Sequence, residues 1–404
     1  MRPAVVVAML TLLMGIQPIT TDLYLPALPT LMLSLKTNVA AAQLTLSVLM
    51  IFFGVAQLVC GPLSDKYGRK PVLLWGMAAY TVASVFSALA PSIEWLVLCR
   101  ALQGAAMAAA VTCGRSMVRD LFAPQEGARV MSRGLSGLGV IAALSPLLGR
   151  WMVQAFSWHA VLLVLALYGA LTMAFIALRF QETVPQCNPG ATQLKPLLRN
   201  WRQVLTHPTF RTWTALIAFS YGGLFLFLAS SSFVYIQVLG LSRMEFGAVV
   251  ASNSVAYITG TWWCRRSLAQ RSVKRTVWWG GFLSLGGGVG MAALSLAGLH
   301  SLWALLIPQW LYAIGHGIHQ PCGQACALGP FPDKAGTAAS LSGFIVMVVA
   351  FAVSLWLGSV LDGTVYPLSL GLGAFSIGVA TVAWTFVQRH GEARMNITSL
   401  KPQA

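Results

Sequence analysis

The chain has 404 residues, 57% of them hydrophobic and 9% charged, and a mean hydropathy of +0.73. Soluble domains carry about 25% charged residues, so a soluble fold is excluded and a polytopic membrane protein remains. The net charge of +16 does not mark a nucleic-acid binder, because the basic residues lie in short loops between apolar segments, the pattern of positive-inside topology.

A spanning helix needs about 20 mostly apolar residues. By that rule twelve segments follow one another, near 4–28, 39–61, 72–90, 94–115, 130–152, 159–180, 211–238, 245–264, 277–298, 301–327, 335–359 and 366–388. Met1–Ile19 has the look of a signal peptide, with Arg2 before an apolar run. No small-residue cleavage site follows it, so it reads as the first transmembrane helix. The polar stretch Gln181–Phe210 contains Pro185, Pro189, Pro196 and Pro208 and reads as a linker.

The predicted fold is therefore an all-α polytopic membrane protein with twelve transmembrane helices. The first six-helix bundle spans 1–180, the linker 181–210, the second bundle 211–388 and a tail 389–404. Equal halves of six segments suggest a parallel repeat about an axis along the membrane normal. All Lys and Arg residues except Lys36, Arg100, Arg150 and Arg243 fall on the side of the N-terminus. Both termini and the linker are thus expected in the cytoplasm. The seven cysteines suggest neither a disulfide framework nor a metal site.

Ile19–Pro26 ends the first segment and contains Asp22. A charge at membrane depth costs about 2.5–3.5 kcal/mol on insertion scales and is a functional-site hypothesis by default. The alternative is that the helix has already reached the outer surface and Asp22 is solvated. Asp65, Asp120, Glu126, Glu182, Asp333 and Glu392 are assigned to cytoplasmic loops or the tail. Glu94, Glu245 and Asp362 are assigned to outer helix ends or loops. That leaves Asp22 as the one carboxylate inside a span, and the main candidate to carry protons.

Between segments two and three runs Gly61-Pro62-Leu63-Ser64-Asp65-Lys66-Tyr67-Gly68-Arg69-Lys70. Gly61 permits close helix approach and Gly68 a positive φ. Asp65 among Lys66, Arg69 and Lys70 offers an ion-pair network that can break and re-form, or else the loop only sets topology. Segment four contains Arg100-Ala101-Leu102-Gln103-Gly104. An arginine about six residues inside a span faces a cavity or a partner, or snorkels to the outer surface. At 1.5 Å per residue Arg100 lies about 10 Å deep, level with Asp22 if segment one runs to about Pro29. Burial favours the neutral acid and a nearby Arg100 the ion, a balance that suits a carboxylate cycling its proton. Segment five holds Ser145-Pro146-Leu147-Leu148-Gly149-Arg150, where Pro146 kinks the helix.

Polar positions recur at helical spacing in segment two (Gln43, Ser47, Gly54, Gln57) and segment ten (Gln309, His316, Gln320, Gln324). Facing lipid would be costly, so they point inward, to bind ligand or to join helices. Tyr221, Phe225, Ser232 and Tyr235 in segment seven, and Asn253 and Tyr257 in segment eight, either line the same cavity or pack. His316, His319, Cys322 and Cys326 fit no common zinc spacing, and no nucleophile–base pair or Walker motif appears, so neither a metal nor an enzyme is expected.

The run Gly61–Lys70 resembles the G-x-x-x-D-x-x-G-R-[RK] signature of the major facilitator superfamily at every fixed position. The resemblance implies that Asp65 and Arg69, with Gly61, Gly68 and Lys70, form a conformational gate. Arg100–Gly104 resembles the R-x-x-Q-G motif of drug:proton antiporters, which ties Arg100 to proton coupling with Asp22. Pro146 and Gly149 match part of the antiporter motif ending G-P-x-x-G-G.

Thr21, Asp22, Tyr24, Leu25, Pro26, Ala27 and Pro29 resemble the T-D-x-Y-L-P-A-x-P run of Bcr/CflA-type drug-resistance transporters. Gln43–Ser47 and Val118–Leu121 resemble the same subgroup. The resemblance implies alternating-access export of small, largely apolar drugs such as phenicols across the bacterial inner membrane. The proton gradient, rather than a cofactor, would drive it. Candidate substrate contacts are Tyr24, Gln43, Gln103, Tyr221, Phe225, Tyr235, Asn253, Tyr257, His316 and Gln320. The expected partners are drug, protons and lipid, in a monomer that binds no nucleic acid. The alternative is a proton-coupled uptake symporter for a small metabolite, which direction of flux would separate.

Overall fold

The computed structural model describes residues 2–184, 186–360 and 363–391. Asp362, Glu392, Arg394 and Lys401 of the charge census, Pro185 of the linker and most of the tail lie outside the described residues. The helices are α1 (Pro3–Asp22), α2 (Leu28–Ser34), α3 (Val39–Tyr67), α4 (Arg69–Ala88), α5 (Ile93–Leu121), α6 (Pro124–Ala155) and α7 (Trp158–Arg179) in the first half. A linker helix α8 (Leu194–Thr206) precedes α9 (Pro208–Ser232), α10 (Arg243–Gln270), α11 (Val273–Leu296), α12 (Leu302–Ala327), α13 (Ala335–Val360), α14 (Tyr366–Thr381) and the short α15 (Val387–His390).

Local chemistry sets many of these ends. Asn38 accepts the Ala41 N–H at 2.8 Å to start α3, and Ser242 and Glu245 form a reciprocal capping box at α10. Pro occupies the first turn of α1, α6 and α9, where its missing N–H costs nothing. Gly68, at φ +96°, separates α3 from α4 in a conformation that penalises a side chain. The first segment departs from expectation: α1 stops at Asp22, and a 3-10 turn over Leu25–Ala27 leads into α2. Pro26 would clash with the Asp22 carbonyl and disfavours helix at Leu25, so the break falls there.

Twelve long helices stand among the described residues, ten of them in stretches apolar and long enough to span. The two that fall short, α10 and α12, carry polar side chains which α12 turns inward: Gln309, His316, His319 and Gln324 are buried. The six helices of the first half share one apolar core, including Leu10, Leu13, Met107, Met131 and Leu162. Those of the second half enclose two further clusters, around Trp213 and Cys322 and around Phe227 and Tyr312.

The halves meet in two matching ways. The second helix of the first half, α3, packs on the fifth of the second, α13, and the fifth of the first, α6, packs on the second of the second, α10. Exchanging the halves exchanges these two interfaces, which is the signature of pseudo-two-fold symmetry. Residues 181–184 and 186–207 of the linker lie on one face, the linker face.

Gly149 of α6 lies against the Leu23 peptide where α1 breaks, with no room for a Cβ. Gly149→Val should cost about 1–3 kcal/mol by overpacking, read as a melting temperature in detergent at least about 2 °C lower. The same change at exposed Leu148 should leave it unaltered. An unshifted Gly149→Val would contradict the close packing of α6 on this break.

Candidate functional site

The linker face is closed by charges of the first half placed on helix ends of the second. Asp65, at the end of α3, is 4% exposed. Its Oδ1 accepts the Gly336 N–H at 2.9 Å, and its Oδ2 accepts the Thr337 N–H and hydroxyl, both at 2.8 Å. These are the free donors of the first turn of α13, where the helix dipole favours an anion. Gly61 and Gly336 let α3 and α13 approach until a Cβ on either would strike the other's backbone.

Arg69 Nη1 holds Asp65 Oδ1 at 2.7 Å and Ser64 Oγ at 2.6 Å, while its Nε donates to Asp120 Oδ2 at 3.1 Å. Arg119 Nε donates to the Leu328 and Gly329 carbonyls, at 3.2 and 3.0 Å, at the C-terminal end of α12. Arg129 donates to the Leu268 carbonyl in the last turn of α10. The sequence assigned Asp65, Asp120 and Arg129 to loops. The structure instead puts them in helix ends, and Asp65 and Arg69 in the interior, because helices here extend several residues past the apolar runs.

Lys70 Nζ donates to the Ala177 carbonyl at 3.2 Å. Glu182 was not singled out by the sequence, yet it accepts the N–H groups of Arg69, Lys70, Thr183 and Val184 at 2.8–3.1 Å. It thereby caps α4 and fastens the start of the linker. Burial pushes its pKa up, but the four backbone donors outweigh burial and hold it below the ordinary value of 4.5.

On the opposite side, Asp22 and Arg100 form no ion pair. Asp22 is half-buried and accepts the Thr21 hydroxyl at 2.8 Å. Arg100 is fully buried, 0% exposed. Its Nη1 donates to Gln103 Oε1 at 2.5 Å and its Nη2 to the Thr20 carbonyl at 3.2 Å, and its guanidinium lies 4.3 Å above the Tyr24 ring. The ring face attracts the cation electrostatically. Tyr24 in turn pairs with Thr45 at 3.0 Å, and Gln103 donates to Ser84 at 2.6 Å. Tyr24 and Gln103, expected at the substrate, are thus buried supports of Arg100.

A cavity of about 500 Å³ opens between α1, α3, α9 and α13. Tyr221 and Phe225 stack on one wall, with ring centroids 6.3 Å apart. Met50, Phe344, Met347 and Phe351 supply most of the rest, with Gln17, Ser47 and Ser354 as sparse polar points. Tyr221 pairs with the Gln17 side chain and lies within electrostatic reach of both Asp22 and Arg115. The α13 wall was missed, because an apolar residue of a membrane helix gives no sign of which face it takes.

The other expected contacts are placed elsewhere. Gln43 is exposed near the start of α3. Tyr235 is buried against Phe227 in a π turn, Phe233–Val238, that prolongs α9. Asn253 accepts from Gln309 at 3.1 Å, Tyr257 donates to Gln320 at 2.5 Å, and His316 Nδ1 pairs with Ser220 at 2.9 Å. These hydrogen bonds join α9, α10 and α12 to one another, while Gln309 Oε1 and His316 Nε2 stay buried without a partner. His319 faces Ser284 on α11 instead, at 3.4 Å. Pro146 lies inside α6 as expected.

The sequence profile of the Major Facilitator Superfamily matches residues 10–355. The chain belongs to the major facilitator superfamily. It is 30% identical over 357 residues to a chloramphenicol resistance protein of Pseudomonas aeruginosa, covering 87% of this chain and 80% of that one. Multidrug resistance protein D of Escherichia coli is 27% identical over 335 residues, 83% of this chain and 84% of that one. These relatives bear out the resemblance to Bcr/CflA-type transporters. The solved structure of a proton:xylose symporter of the superfamily superposes with a TM-score of 0.79 at 12% identity, covering 96% of each chain, and confirms the twelve-helix fold.

The Glu182 cap has a definite pH dependence. A carboxylate held below its unfolded value stabilises the fold fully above about 4.5 and loses that contribution as pH falls through the lower folded value. Glu182→Gln removes the charge at every pH. Its melting temperature should lie below the wild type at pH 7, and the two should converge in acid. Parallel curves would contradict the cap.

Proposed function

We propose that this chain exports small, largely apolar drug-like compounds, phenicols among them, across the bacterial inner membrane in exchange for protons. The observation that carries the reading is the cavity: about 500 Å³, mostly aromatic and aliphatic walls, few polar points, and helix-end charges closing the linker face beside it. Drug pockets have this composition and size. The printed names of the relatives, resistance to chloramphenicol and to multiple drugs, agree with it.

In this reading the linker and both termini face the cytoplasm, the state seen is closed toward the cytoplasm, and the chain works as a monomer without a cofactor. Asp22, near Tyr221 on the cavity side of the α1 break, is the proton carrier. Facing outward it takes a proton and drug leaves. The halves then rock, the proton departs to the cytoplasm, and drug enters again. Asp65, Arg69 and the glycines Gly61 and Gly68, with Lys70, serve as the gate that opens in the second state. One charge crossing 100 mV contributes about 2.3 kcal/mol to the cycle. Arg100 acts on Asp22 at a distance, by its field and by fixing Thr20, two residues before Asp22 on the same helix.

The test is chloramphenicol flux in sealed proteoliposomes with an imposed pH gradient. Wild type should move drug against protons, and Asp22→Asn should lose at least tenfold of the gradient-driven rate while still binding drug. Full gradient-driven export by Asp22→Asn would remove it from the coupling. Drug moving with the protons would make the chain an uptake symporter.

A further inference from the structure

The sequence placed Arg115 at the very end of segment four, 94–115. The structure puts it in α5, six residues from the end of the helix and so about 9 Å inside it. The two ion pairs among the described residues, Arg69 with Asp65 and with Asp120, leave Arg115 out. Its Nε is buried without a partner.

Beside it is Gln57 of α3, fully buried, with both amide atoms unpartnered. The two side chains converge on Gly343 of α13: a Cβ there would lie 2.7 Å from Arg115 Nη1 and would strike Gln57 Oε1. Gly54, one turn before Gln57, and Phe344, next to Gly343, both line the cavity. Tyr221, also on the wall, is within electrostatic reach of Arg115. An uncompensated guanidinium and an unused amide therefore lie together directly beneath the cavity floor.

Within the spans the charges do not balance. Arg100 is held by an aromatic face and neutral oxygens, though its Nε too lacks a partner; Arg115 is in neither ion pair, and Asp22 is the carboxylate within electrostatic reach of Tyr221 on the cavity wall. Buried polar groups without partners in a native protein call for an explanation. Guanidinium pairs with a planar oxyanion through two parallel bonds, and the Gln57 amide N–H can add a third.

We infer that Arg115 and Gln57 form an oxyanion subsite at the bottom of the cavity, which selects amphiphilic substrates bearing a carboxylate or similar anionic group over their neutral counterparts. The apolar body lies among Tyr221, Phe225 and Met347, and the anionic head reaches down past Gly54. Parting of α3 from α13 at the linker face exposes the subsite to the cytoplasm. The inference deepens the export reading by naming a substrate class, and rests on it for the cavity being the substrate's.

The test is binding to the purified full chain in neutral detergent at pH 7, followed by tryptophan fluorescence. The probes are naphthalene-2-carboxylate and its neutral amide. Wild type should bind the carboxylate at least tenfold tighter than the amide. Arg115→Gln should bring the ratio below twofold with amide affinity unchanged, while Arg115→Lys keeps at least threefold. Gly343→Ala presses on two flexible side-chain ends without removing charge, and should weaken the carboxylate at least threefold and spare the amide.

Equal binding of acid and amide by wild type, or an undiminished ratio in Arg115→Gln, overturns the inference. A fluorescence change on adding phosphatidylglycerol that Arg115→Gln abolishes, with no naphthoate binding by wild type, would give the site to a lipid headgroup and overturn it too. Because no gradient is present, absence of the ratio in wild type with intact chloramphenicol export rejects this inference alone. A retained ratio without export rejects the export reading alone.

Discussion

One carboxylate on one helix end organises the linker face. Asp65 takes both free amides at the start of α13, and Arg69 holds its remaining lone pair. The geometry exploits a feature every helix has: donors at the N-terminus without intrahelical partners, and a dipole that favours negative charge there. Arg119 and Arg129 do the converse at the C-terminal ends of α12 and α10. The first half therefore closes the second by matching charge to helix polarity. The partners are backbone N–H donors on α13 and backbone carbonyl acceptors on α12, which move with their helices as rigid bodies, so the contacts break together when a helix moves away.

Such a contact suits a reversible closure better than an ion pair between two side chains. A buried ion pair that loses one partner leaves an uncompensated charge. Here Asp65 keeps Arg69 when α13 leaves, and Arg69 keeps Asp120, so each charge retains a partner in the same half. Glu182 ties the same corner to the start of the linker through the α4 amides. The opposite side is built differently: Arg100 is held by the Tyr24 face, Gln103 and the Thr20 carbonyl, and Asp22 stays outside any ion pair, within electrostatic reach of Tyr221.

The hydropathy pattern made the twelve helices legible, and the run Gly61–Lys70 marked the closure, because spacing in a tight inter-helix turn maps directly onto contacts. Three things were not legible. The break of α1 at Asp22 follows from Pro26, but hydropathy runs through it, so Asp22 and Arg100 were expected at matching depth and do not meet. Polar residues on inward faces were visible as a class, yet Asn253, Tyr257, His316 and Gln320 spend their hydrogen bonds on neighbouring helices, and no periodicity distinguishes that from binding. Arg115 stood at the end of an apolar run and counted as a loop cation, whereas α5 continues to Leu121.

If Asp65 holds the linker face shut, removing its carboxylate must lengthen a distance across that face. Spin labels at Arg179 and Arg275, exposed residues of opposite halves at the ends of α7 and α11, with exposed Cys187 replaced by serine, report the separation by pulsed dipolar spectroscopy. Wild type should show one narrow population, and Asp65→Ala should shift most molecules to a longer distance. Superimposable distributions from the two proteins would contradict the account.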